Sequence, residues 1–111
     1  MFQNYKIHYA ESFKEDIRSF VHYVINTFKY IGYKSVFREK INKAINIIKD
    51  SAKCMGETGF LFDGEMIYMR CIDGYLYFYI VIDNKIIFLR FFKDGQDWQS
   101  LITLWLRMNG Y

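Results

Sequence analysis

The chain has 111 residues, of which 52% are hydrophobic and 21% aromatic, and a formal net charge of +3. That size and apolar content suit a single domain over 1–111 and exclude a globally disordered chain. The mild positive charge accommodates RNA or an acidic protein as a partner and demands neither.

No window carries 18 consecutive apolar residues, so no transmembrane helix and no membrane partner is expected. The opening Met1-Phe2-Gln3-Asn4-Tyr5-Lys6 lacks the apolar centre of a signal peptide, which implies a cytoplasmic protein. Cys54 and Cys71 have no CxxC spacing and are expected to be reduced, partly buried thiols. His8 and His22 stand in no ligand spacing, so neither a metal nor a cofactor is implied.

Residues 4–9 alternate Tyr5, Ile7 and Tyr9 against Lys6 and His8, the pattern of a strand with one buried face. Ser12 and Glu15 have capping-box spacing. Ile17, Phe20, Val21, Val24, Ile25 and Phe28 then recur at steps of three and four, predicting an amphipathic helix over 11–28. Gly32 interrupts the pattern. Ser35 is the expected cap of a second helix over 35–53, with Phe37, Ile41, Ala44, Ile45, Ile48 and Ala52 as its apolar stripe. Its lysines read as a solvated face. Two such helices joined so briefly predict a helical hairpin that covers another layer.

Residues 54–65, with Gly56, Gly59 and Gly64, read as loop. Strands follow at 65–72, 75–82 and 85–92, separated by the turn words Asp73-Gly74 and Asp83-Asn84, which predicts an antiparallel meander. The middle strand is apolar on both parities. Tyr75, Tyr77, Tyr79 and Val81 face one way, and Leu76, Phe78, Ile80 and Ile82 the other. Either both faces are covered, or one is core and the other an aromatic functional face. Residues 97–108 predict a last helix, capped by Asp97, with Trp98, Leu101, Ile102, Trp105 and Met108 on its apolar stripe. The expected class is α+β, in the order β-α-α-β-β-β-α, with an antiparallel sheet packed against the helical hairpin.

That order, with the words it contains, resembles the RelE/ParE toxin superfamily. The opening Tyr5-Lys6-Ile7-His8-Tyr9-Ala10-Glu11-Ser12-Phe13-Lys14-Glu15-Asp16-Ile17 is similar to the family's strand, polar joint and acidic helix start. The stronger likeness is Gly74-Tyr75-Leu76-Tyr77-Phe78-Tyr79-Ile80-Val81, then Ile86 to Arg90, then Gln96-Asp97-Trp98, which is similar to ParE-like members. The resemblance implies the toxin of a type II toxin–antitoxin pair, with a role in plasmid stabilisation and growth inhibition in bacteria. It implies a cognate antitoxin whose disordered tail folds onto the toxin. RelE-like members cleave messenger RNA on the ribosome with basic side chains around the scissile phosphate; ParE-like members inhibit DNA gyrase. Leu76 and Gln96 stand where nuclease members place cations, which favours the ParE-like branch. An mRNA endoribonuclease is the alternative, and an inactive antitoxin-binding module a third reading.

Arg70 and Arg90 are the candidate phosphate-binding cations if they share a sheet face. Arg90 has the competing expectation of an ion pair with a carboxylate such as Asp97. Lys93 stands where relatives carry histidine and is the third candidate catalytic residue, with a solvated loop charge as its plainer role. Tyr75, Tyr77 and Tyr79 form an aromatic row suited to stack bases or pack an antitoxin helix, or simply to fill the core. An antitoxin helix is expected in a groove between hairpin and sheet.

Overall fold

A computed structural model describes residues 4–111. Its elements are β1 (Lys6–Tyr9), α1 (Glu11–Phe28), α2 (Tyr33–Asp50), β2 (Glu57–Phe62), β3 (Glu65–Ile72), β4 (Tyr75–Ile82), β5 (Lys85–Lys93) and α3 (Trp98–Met108). The five strands form one sheet in the order β1-β5-β4-β3-β2. β2 to β5 are an antiparallel meander, and β1 joins the outside of β5 in parallel. The architecture is the expected α+β arrangement, with a mixed sheet and one strand more than the sequence pattern indicated. No helix among the described residues is long and apolar enough to cross a membrane.

The added strand is β2, where a loop was expected. Its three glycines hid it. Gly56 has φ +96°, and a Cβ there would lie 2.3 Å from the Met69 carbonyl oxygen, so the chain enters β2 against the backbone of β3. Met69 N–H donates to the Gly56 carbonyl across that contact. Asp63-Gly64 then turns the chain with both residues at positive φ, as Asp73-Gly74 does one hairpin later.

The two apolar parities of β4 are both covered. Tyr77, Tyr79 and Val81 meet Phe37, Ile41, Ala44, Ile45 and Ile48 of the hairpin in one core, together with Phe13, Ile86, Phe88 and Phe91. Leu76, Phe78 and Ile80 meet Ile102 and Leu106 of α3 in a second core on the opposite face. The result is three layers, each held by burial of large side chains from water, roughly 1.5–3 kcal/mol for each one fully buried.

Helix starts differ from expectation at two of three places. α1 begins after Ala10 and α2 after Gly32, and neither has a side-chain cap. Ser12 is turned to the sheet instead, and Ser35 lies inside α2, so α2 runs over Tyr33–Asp50 rather than 35–53. Asp97 caps α3 as expected, accepting from the Ser100 N–H at 3.3 Å and its hydroxyl at 2.7 Å. Those bonds hold its carboxyl below the usual aspartate range, the hydroxyl first. Both cysteines are exposed free thiols, not the partly buried ones expected.

Candidate functional site

β1 stops at Tyr9, halfway along β5, so the remaining edge of β5 has no strand beside it. α1 fills that position. Ser12 donates its hydroxyl to the Leu89 carbonyl at 2.7 Å. One helical turn later, Asp16 accepts the Phe91 N–H at 3.0 Å. Two side chains thus replace a missing strand, because an unpaired backbone group under a helix is costly.

The same Asp16 carboxylate takes Arg90 in a fork. Arg90 Nε donates to Oδ2 at 2.7 Å and Nη2 to Oδ1 at 2.9 Å. The two side chains are 19% and 16% exposed, so the pair is well shielded from solvent. The guanidinium also lies over the rings of Phe92 and Trp105, with centroids at 4.8 and 5.6 Å. One arginine therefore ties α1, β5 and α3 together. The expected ion pair with a carboxylate is present, but the carboxylate is Asp16 and not Asp97. Asp16 was legible only as half of an acidic pair on α1. Its position one turn after Ser12 was the available signal.

Beside this pair opens a cleft of about 460 Å³, lined by Ser19, Phe20 and Tyr23 of α1, by Arg90 to Lys93, and by Gln96 and Leu101. Lys93 is exposed on its rim and makes no ion pair among the described residues. Gln96 is used by the turn, accepting the Lys93 N–H at 3.0 Å. Leu76 is buried in the α3-side core.

Arg70 is elsewhere. It donates from Nη1 to the Ser51 hydroxyl at 2.8 Å and the Ser51 carbonyl at 3.3 Å. Ser51 ends α2, so Arg70 places its charge at the negative end of that helix. The expected shared face is corrected by the register. Arg70 pairs across β4 with Tyr77, and Tyr77 with Phe91; Arg90 pairs with Phe78. Tyr79 pairs with Phe88, which leaves Leu89 as one extra residue in β5. That bulge turns Arg90 onto the face opposite Arg70. The structure brings Lys93 and Arg90 to one cleft and keeps Arg70 out of it.

The tyrosine row is largely core. Tyr77 and Tyr79 are fully buried under the hairpin, where neither ring is open to a partner, and Tyr75 is half-buried. Tyr79 donates to the Ala52 carbonyl at 2.8 Å. Burial pushes its hydroxyl up to about 12, against the opposing pull of Arg70. Burial also raises Tyr77, and it raises Tyr33, whose hydroxyl lies 3.3 Å from that of Tyr75.

The core fills most of the space between hairpin and sheet, and what is open of the groove expected there is the cleft between α1 and β5 beside Arg90. A second groove, of about 350 Å³, opens between the two helices, with Ile17, Val21, Ile25, Phe37 and Ile41 along it and Arg18, His22, Lys34 and Arg38 beside them.

No family model matches the chain, and no curated protein does. Among solved structures, a chain described as "Chromosomal ParDE TA system from P. aeruginosa" superposes with a TM-score of 0.58 at 13% identity. The match covers 84% of this chain and 99% of that one. The fold is therefore of the RelE/ParE toxin type, as the order of the sequence words implied.

Proposed function

We propose that this chain is the toxin of a type II toxin–antitoxin pair, of the ParE-like kind, acting on DNA gyrase or another essential process and held inactive by a cognate antitoxin. The observation that carries the ParE-like reading is the fork between Arg90 and Asp16. Cleavage of RNA through its 2′-hydroxyl needs a proton acceptor and free cations around the developing phosphorane charge. Here Arg90 is neutralised, Arg70 is on the other face and committed to Ser51, and Leu76 and Gln96 supply no charge. Lys93 alone is left on the cleft, and one lysine is a poor substitute for a cation cluster.

The groove between α1 and α2 supports the antitoxin part of the reading. Its apolar floor and basic sides fit an amphipathic segment that folds on binding. The wider neutralisation role also draws on the fold likeness to a chain of a ParDE system.

The test is expression of the chain alone and beside its neighbouring open reading frames. Growth arrest relieved by one neighbour is expected; harmless accumulation of folded protein opposes the toxin reading. Loss of gyrase supercoiling with ribosome-bound transcripts intact is the expected branch result. Cleavage of those transcripts, abolished by Lys93→Ala, would establish the endoribonuclease alternative.

A further inference from the structure

The tip of the helical hairpin carries a run of exposed apolar side chains. Phe28 is 66% exposed and Ile31 90%, and Tyr23 and Tyr30 are exposed beside them. Phe28, Lys29, Tyr30 and Ile31 are consecutive, and Tyr23 packs edge-on against Phe28 with centroids 6.3 Å apart. Single exposed apolar residues are ordinary, but a contiguous group at one projecting end marks a contact surface.

The charge along the chain at this tip has one sign. Residues 19–38 carry Lys29, Lys34 and Arg38 and no carboxylate. Lys29 follows the last turn of α1 and suits the helix dipole there. Lys34 does not. It lies in the first turn of α2, at the positive end of that helix, where the cap is Gly32 and no acidic residue compensates.

We propose that the hairpin tip docks on an anionic lipid surface, inserting Phe28 and Ile31 among the acyl chains while Lys29 and Lys34 meet headgroup phosphates. The composition selects this occupant. The tip ends in an aliphatic side chain, Ile31, which stacks poorly on bases and so argues against single-stranded nucleic acid. Two tips brought together would oppose their own lysines, which argues against a second copy. Apolar and tyrosine side chains flanked by lysine are the composition that sits at a bilayer interface. The contact is peripheral. It shares Lys34 with the groove assigned to an antitoxin, whereas Phe28, Lys29 and Ile31 lie outside that groove's lining, and vesicle binding by the free chain is read independently of the toxin reading.

The purified full chain is sedimented with vesicles of phosphatidylcholine alone or containing phosphatidylglycerol, at low and high salt. Salt-sensitive binding to the anionic vesicles only is expected, weakened about tenfold or more by Phe28→Ser with Ile31→Ser and by Lys29→Glu with Lys34→Glu. All four positions are exposed, and circular dichroism verifies the fold of each variant. Absence of binding to anionic vesicles, or equal binding by the variants, overturns the proposal. So does lipid-free self-association, or oligonucleotide binding, that the same substitutions abolish.

Discussion

Arg90 and Asp16 lie 74 positions apart in the chain and meet in a two-armed ion pair, Nε to Oδ2 at 2.7 Å and Nη2 to Oδ1 at 2.9 Å. The carboxylate also receives the Phe91 N–H, so the pair fastens α1 to the unpartnered edge of β5. Asp16→Ala leaves a shielded arginine without its counter-charge and a backbone N–H without its acceptor. A loss of about 2–4 kcal/mol is expected in urea unfolding. Asp16→Asn keeps an acceptor for Phe91 and should lose less. A double-mutant cycle with Arg90→Ala separates the pair's coupling from the backbone bond.

Gly56 and Gly59 differ in a testable way. Both have positive φ, but only Gly56 has backbone in the path of a Cβ, at 2.3 Å; Gly59 has nothing within 4 Å. Gly59→Ala should cost about 1–2 kcal/mol for the backbone conformation alone. Gly56→Ala should cost clearly more, and should loosen β2 from β3. Hydrogen exchange at Met69 N–H, which bonds the Gly56 carbonyl, reads that loosening directly.

Tyr79→Phe removes one hydroxyl from a fully buried ring and leaves the Ala52 carbonyl without its donor. A destabilisation of about 1–2 kcal/mol is expected with little change in the fold, measured by thermal or urea unfolding. Asp97→Ala, which removes the cap of α3, should cost about 1 kcal/mol by the same measurement.

Alkaline pH should unfold the protein through its buried tyrosines. Tyr79 ionises near 10 in the unfolded chain and at about 12 in the fold, and Tyr33 and Tyr77 are also raised. The folded state holds more protons in that interval, so stability is full below about pH 10 and falls as pH rises toward 12. Absorbance of tyrosinate should rise first from exposed rings and again, cooperatively, on unfolding. A single smooth titration of all ten tyrosines, with stability unchanged above pH 10, is the contrary result.

Periodicity and turn words carried most of the fold. α1 occupies the predicted 11–28, and the meander strands fall within a residue of their predicted limits, because both rest on local pattern. β2 was missed because its glycines read as breakers, although Asp63-Gly64 repeats the word that marks the next hairpin. The candidate site was less legible. Lys93 and Arg90 do share a cleft, but Asp16 emerged only from packing, and Tyr77 and Tyr79 proved to be core.

The sequence by itself determined the order of every element but β2, the α+β class and the need to cover both faces of β4, since each follows from the spacing of apolar side chains along the chain. Tertiary structure decided which charges meet. One extra residue, Leu89, shifts the register of β5 against β4 and sends Arg90 to the face opposite Arg70. Side-chain parity in a strand alternates with every residue, so a single bulge reverses the sense of everything beyond it. A bulge is selected by the fit of whole layers, and only the folded chain contains that information.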